Sequence, residues 1–327
     1  MTYISHRIVL TIACIITLQA CCSSNNNTGW FDWFWNIFGI TYNTNIENNL
    51  FTQQKGNSII ISNTKNMNNP TNIQLTGITQ RVAQTLKINS ISLPSFVQVI
   101  IDNSVDGYIE CDTAFFDSGL EFVVENGKLT LKLQKNTPIR FKKTEDKPLC
   151  TIVANLLGDS LHIAGIGDVV LKQASSLRKL TINGASKIYT TNNNSGNNNS
   201  GNNNSGNNSL KSTIPLQTIT ALGASIIDIS NIATTSLQST ISGASTVTLT
   251  GTADTQKVII EGASKYNTRY LKSKEISIVV LGTSNAAIWA TDLLTGSVAG
   301  VSTLQNYGPA ISKISTAGLS SYKTLKQ

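Results

Sequence analysis

The chain has 327 residues, of which 40% are hydrophobic and only 13% charged, with a formal net charge of +7. That is ample for one or two folded units. So little charge beside so much Asn, Ser, Thr and Gly argues against a cytosolic α/β enzyme and suits the surface of a β-solenoid.

The chain opens with His6 and Arg7 followed by an apolar run over residues 8–18. Such a run is too short to span a bilayer and has the length of a secretory signal core. It ends in Leu18-Gln19-Ala20-Cys21, which resembles the bacterial lipobox, where a small residue precedes a cysteine that is diacylated and becomes N-terminal. The resemblance implies a signal peptide over residues 1–20 and lipidation at Cys21; ordinary cleavage near Ala20 without lipid is the alternative. Residues 21–85 then read as a tether. It contains an aromatic segment, residues 29–40, with Trp30, Trp33 and Trp35. That segment could lie among lipid headgroups or pack over an open solenoid end. Residues 41–80 are Asn- and Thr-rich and are expected to be a loosely ordered stalk with one strand at Ser58–Ile61.

From about Leu86 strands are expected at residues 96–101, 107–111 and 150–153. Residues 121–133 carry a hairpin signal, with Asn126-Gly127 suited to a type I′ turn and Leu129, Leu131 and Leu133 forming one buried face. Seven bases follow closely: Lys128, Lys132, Lys135, Arg140, Lys142, Lys143 and Lys147, opposed only by Glu145 and Asp146. They could meet an anionic partner, or form a solvated hairpin and loop. Cys111 and Cys150 could pair in an oxidising compartment, or each could be a small buried side chain. His162 is the only histidine after the signal, which removes most triad and zinc schemes, and no metal or cofactor is expected.

The second half repeats one phrase. Gly165, Gly184, Gly223, Gly243, Gly262, Gly282, Gly300 and Gly318 recur at intervals of 19, 39, 20, 19, 20, 18 and 18 residues. The long interval contains an Asn/Ser/Gly tract, residues 192–209, whose removal restores a period near 20. That tract cannot bury a core and reads as a loop projecting between two rungs. Two residues before each of the first seven glycines, and four after, stand apolar residues such as Ile182, Ile188, Ile241 and Val247. The alternate positions are more polar, among them Lys187, Asp228 and Lys265. Period 2 with β-branched residues is strand, and a repeat of about 20 residues is a solenoid rung. Eight rungs would make a rod of about 35 Å at the strand spacing of a sheet. The Ser two places after most of these glycines recurs too often to be a nucleophile and reads as a stacked small-residue ladder.

With Phe96-Val-Gln-Val, Tyr108-Ile-Glu-Cys111, the Asn-Gly hairpin, residues 161–168 and the returning Gly-Ala-Ser phrases, the chain resembles the GIN-domain family named for autotransporter adhesin heads. The resemblance covers residues 90–325 and implies a right-handed parallel β-helix, over residues 86–327, in an exported and often lipid-anchored envelope protein. A polysaccharide-active enzyme on such a helix would need clustered carboxylates. Asp168, Asp228, Asp254, Glu261, Glu275 and Asp292 fall at different places in the rung register and do not share a column. The chain is therefore expected to be non-catalytic, anchored at the outer membrane or cell surface, with a periplasm-facing position second. Its expected partners are the membrane and a glycan or protein bound on the solenoid, not nucleic acid. Self-association through the solenoid ends is the alternative.

Overall fold

The alternation of apolar and polar residues becomes a parallel β-solenoid of about seven turns in a protein that is nearly all β. The computed structural model describes residues 40–45, 50–55, 58–63, 72–73, 79–94, 96–113, 115, 120–133, 140–141, 148–191 and 213–325.

The first face of the solenoid is the ladder that ends in the repeated glycine. Ser90–Leu93 pairs with Ser160–Gly165, which pairs in parallel with Lys179–Gly184. That strand in turn pairs directly with Thr218–Gly223, Gly184 opposite Gly223, so the 39-residue interval is a single rung. The second face begins three residues after each glycine. Val97–Asp102, Asp168–Gln173 and Lys187–Thr190 are its first parallel members in this direction. From Ile226 onward a third side is added, with Ile232 opposite Gly251 and Gly251 opposite Leu271. The inward parity is as read from the sequence. Ile163, Ile182, Ala221, Ile241, Ile260, Val280 and Val298 are all buried, as are Val169, Ile188, Ile227, Val247, Tyr266, Ala286 and Leu304. One apolar column therefore runs up the inside of each of these faces, and burial of its side chains is the main stabilising term.

The glycine column is a steric requirement. Gly243 has φ +97°, and a Cβ there would collide with the carbonyl oxygen of Gly223 on the preceding rung. Two backbones approach where no side chain fits, and each rung imposes the same demand on the next. Beside this column the serines form their own ladder. The hydroxyls of Ser225, Ser245, Ser264, Ser284 and Ser302 donate to Gly184, Gly223, Gly243, Gly262 and Gly282 at 3.0–3.2 Å. Each of the last four also accepts the backbone N–H of the preceding serine, at 3.2–3.4 Å.

The leading end is built differently. The first face continues past Ser90–Leu93 into Lys128–Leu133, and from there through antiparallel strands: Leu120–Glu125, Ser58–Asn63, Leu50–Lys55 and Ile40–Asn45. The second face continues past Val97–Asp102 into Cys150–Leu156, then antiparallel through Tyr108–Asp112 to Thr79–Ala83. This corrects the expectation of a stalk with one strand. Residues 40–45, 50–55, 58–63 and 79–83 belong to the sheets, because unpaired rung edges supply backbone partners and Ile59 and Ile61 supply apolar side chains for the core. The hairpin is as expected: Asn126 at φ 50° and Gly127 at φ 77° join Glu125 to Lys128 in a type I′ turn. Leu129 is buried and Leu131 half-buried, while the Leu133 side chain lies outside the described residues. Phe115 stacks on Phe122 at 5.3 Å and meets Phe96 edge-on at 5.9 Å beneath these strands. The aromatic segment, residues 29–39 of it, and the Asn-rich tract also lie outside the described residues.

Candidate binding surface

Among the described residues, the repeated serines of the solenoid interior are committed to the fold. Ser186, Ser225, Ser245, Ser264, Ser284 and Ser302 are buried and bonded from rung to rung, so their hydroxyls are structural. A second polar group lies in the core, where the Tyr266 hydroxyl donates to Gln256 Oε1 at 3.1 Å and meets Ser239 Oγ at 3.1 Å. Gln256 Nε2 then donates to Ser273 Oγ at 2.7 Å. Burial pushes the Tyr266 phenol far above its ordinary range, and bonds from Ser239 and Thr268 only partly offset this. This is a satisfied network, not a reactive one.

Cys111 and Cys150 stand directly opposite each other in an antiparallel pair on the second face, with Cα atoms 4.1 Å apart, and are joined as a disulfide. Cys21 lies outside the described residues.

The sequence-defined basic patch is divided. Lys128 and Lys132 are exposed on the hairpin, but Lys128 lies across from Glu125 and Lys132 across from Glu121. Opposite charges so placed on facing strands attract, and this part of the patch is locally balanced. The sequence window missed the glutamates because they precede it on the neighbouring strand. Lys135, Lys142, Lys143 and Lys147 lie outside the described residues, as does the Arg140 side chain.

The acids are dispersed along the solenoid. Asp168 lies beside Lys187, Asp228 beside Tyr189, and Asp254 bridges to Lys274 at 3.0 Å. Among the described residues, no three His, Cys, Asp or Glu side chains group as metal ligands. Asp102, at the end of its strand, is buried and bridges to Lys172 at 3.1 Å. Burial raises its carboxyl, but the Ser104 hydroxyl and N–H together with the Lys172 ammonium outweigh that, and the net direction is downward. Asn103 and Asn155 tie the same corner to Ser176, Leu156 and Val105. The group is a structural clasp.

One outward group was not legible as a site in the sequence. After the second face the rung that starts at Gly262 bulges, and the pairing shifts between Asn267 and Lys272. The shift brings Lys272 beside Trp289, its ammonium 5.5 Å from the ring centre. Tyr307 continues this column, its N–H donating to the Ile288 carbonyl at 2.9 Å. In the bulge Tyr270 is 58% exposed, and the Arg269 guanidinium sits 4.6 Å from its ring centre. Aromatic faces and cations are thus collected on one corner of three successive rungs.

The fold is shared with solved structures of low sequence identity. A crystal structure described as a putative lipid binding protein from Parabacteroides distasonis ATCC 8503 is 14% identical with a TM-score of 0.57, covering 78% of this chain and all of that one. A putative adhesin from Parabacteroides merdae ATCC 43184 is 14% identical with a TM-score of 0.54, covering 79% of this chain and all of that one. Another putative adhesin from Parabacteroides distasonis is 13% identical with a TM-score of 0.55, covering 78% and 100%. Among curated proteins none matches the sequence. The family model described as "Putative auto-transporter adhesin, head GIN domain" matches residues 89–310. These residues are the solenoid and its first strands, more than half of the sequence, and the chain belongs to that GIN-domain family.

Proposed function

We propose that this chain is a non-catalytic envelope protein, exported and anchored through a lipid on Cys21, that presents its solenoid to a glycan or protein partner. The observation that carries the reading is the division of labour within each rung. Glycine, serine and apolar columns are used up in holding rungs together, while outward side chains stand in columns on a rigid frame. Such a frame is suited to binding an extended partner with little loss of conformational freedom. The adhesin description of the family and of two structural relatives supports the same reading. The Cys111–Cys150 disulfide fits an oxidising compartment.

The test is protease shaving of intact cells with mass spectrometry of released and retained peptides. Solenoid peptides should be released while a lipid-modified Cys21 peptide stays with the cells. Protection until the outer membrane is breached would sink the surface reading.

A structural role through stacking of solenoid ends is the second reading. Among the described residues, Ile311–Gly318 is paired along its length only with Leu293–Gly300, and Ile311 and Leu319 are 71% and 84% exposed. An exposed apolar edge strand is a template for another chain. Sedimentation of the purified protein at increasing concentration tests it, and a monomer throughout would remove it.

A further inference from the structure

The corner formed by Arg269, Tyr270, Lys272, Trp289 and Tyr307 combines three properties that the rest of the described surface does not bring together. The first is aromatic area. Tyr270 is largely exposed, and Trp289 and Tyr307 are half-exposed on the following rungs. The second is positive charge outside any ion pair. Among the described residues neither Arg269 nor Lys272 is in an ion pair; of the acids near them, Asp254 and Asp292 act on Lys274, and Glu275, three residues after Lys272 on its own strand, bridges to neither. The third is unmet hydrogen-bonding capacity. Asn267 Oδ1 and Arg269 Nε are buried at the base of the bulge without a partner in the protein. Buried polar atoms are rarely left so, and an outside group that supplies partners gains what the fold leaves unmade.

The surroundings of the corner discriminate between ligand classes. A protein partner would call for an apolar zone around the aromatic anchors that can be desolvated. Here the neighbours are Thr250, Thr252, Asn267 and Gln305. The exposed aliphatic side chains lie elsewhere: Ile166, Leu222, Ile226 and Val301 around the glycine bends, Val105 and Leu157 in turns of the leading region, and Ile311 and Leu319 on the last described rung. Flat aromatic faces with a polar rim match a sugar, whose ring has an apolar C–H face and a hydroxyl edge. Successive rungs stand about 4.8 Å apart, so Trp289 and Tyr307 form a row that linked sugars can follow, with Tyr270 set to one side of it, two residues before the Lys272 that pairs with Trp289. Cations beside both rings select the charge of that chain: an anion is drawn to the Arg269 guanidinium and the Lys272 ammonium, while the ring surface, whose face is negative, takes the sugar's C–H groups.

We propose that this corner binds an acidic polysaccharide, its sugar rings laid on Tyr270 and Trp289 and its carboxylate or sulfate groups held by Arg269 and Lys272. The proposal rests on the surface-binding reading above and names the site and the ligand class for it. No covalent step is involved.

The experiment uses the purified full chain in detergent and two probes with one backbone, polygalacturonate oligosaccharides and their methyl esters, followed by calorimetry. The acid form should bind saturably, and more weakly as salt rises. The ester should bind at least tenfold more weakly. Arg269→Gln with Lys272→Gln should cost tenfold or more in affinity for the acid, and Tyr270→Ala a similar factor. These side chains face outward, so the variants retain the fold, which the denaturation midpoint checks. Lys179→Gln with Lys257→Gln, exposed lysines on the first face, should leave affinity unchanged. Equal binding of acid and ester would overturn the ligand class. Equal loss in the two double variants would overturn the site, since attraction would then be to net charge alone. Absence of binding by the wild-type chain would overturn the proposal. Saturable attachment of the same chain to whole cells, unchanged in the corner variants, would overturn this inference while leaving the surface-binding reading standing.

Discussion

Replacing Gly243 by alanine separates two costs that the solenoid imposes on its glycines. The backbone at Gly243 has φ +97°, and an added Cβ would collide with the Gly223 carbonyl oxygen and stand 3.1 Å from that residue's N and C atoms. A left-handed backbone costs an L-residue about 1–2 kcal/mol. The collision adds overpacking, about 1–3 kcal/mol, because the opposing atoms are backbone locked into two ladders. Gly243→Ala should therefore destabilise by about 2–5 kcal/mol. Gly158 provides the control. It has φ +80° in the turn before Ser160–Gly165, and a Cβ there meets nothing within 4 Å. Gly158→Ala should show the conformational cost alone, about 1–2 kcal/mol. Gly318→Ala is intermediate, since its Cβ would lie 2.9 Å from the Gly300 carbonyl oxygen on the last described rung, which can yield. Urea denaturation of the three variants, with the slope checked for constancy, gives the order directly. If Gly243→Ala costs no more than Gly158→Ala, close approach of rungs is not what selects glycine, and the steric account of the repeat fails.

Four further outcomes follow from the same geometry. Ser264→Ala should cost about 1–3 kcal/mol. The Ser245 N–H loses its acceptor at 3.4 Å, whereas the Gly243 carbonyl keeps the Ala263 N–H; an unchanged midpoint would show the ladder to be passive. Removing the Cys111–Cys150 link, 39 residues apart, by a double Ser variant should lower stability by roughly 4 kcal/mol on the chain-entropy argument. Equal midpoints before and after reduction of the wild type would show the pair to be unbonded in solution. The Asp102 carboxyl is lowered in the folded state from its ordinary 3.8. Its contribution is therefore complete above that value and lost as pH falls through the folded value, so Asp102→Asn should flatten this part of an acid titration of stability. Tyr266→Phe leaves Gln256 Oε1 and Ser239 without their shared hydroxyl and should cost about 1–3 kcal/mol, read from the denaturation midpoint.

Whatever repeats at one position of the rung was legible in the sequence. The inward columns, the glycine bend and the type I′ hairpin each need only local spacing, and the residues at those spacings are where the pattern puts them. Pairing order in the leading region was not legible. Cys150–Leu156 precedes Val97–Asp102 in the ladder although it follows it in the chain, and no local signal carries such an exchange. The strands Ile40–Asn45 and Leu50–Lys55 were hidden by Asn and Thr; they build outward from Ser58–Asn63, the one strand expected there, whose own partner is Leu120–Glu125, far along the chain. The aromatic corner was hidden by register. Lys272 stands ten residues after its glycine and Trp289 seven after its own, yet the bulge sets them side by side. The signal that could have exposed it is rung length, because the Gly262 rung has 20 residues and the next 18.

That signal points to one edge of the solenoid. Pairings shift between Leu171 and Gln173, between Ile229 and Ile232, between Thr248 and Thr250, and between Asn267 and Lys272, with a further shift on the third side between Ser273 and Glu275. The first four lie just after the second face, and the Asn-rich tract enters at the same place, following Lys187–Thr190. The physical reason is that length cannot change on the first face or at the bend without breaking a column. Along the first face and the bend, a single added residue would invert the apolar parity and remove glycine from the position where rungs touch. The corner after the second face has no such stacked requirement, so insertions and bulges accumulate there at small cost. A solenoid built this way keeps its folding determinants on the inside and leaves one edge free to vary in sequence, and it is on that edge that Tyr270, Lys272 and Trp289 stand.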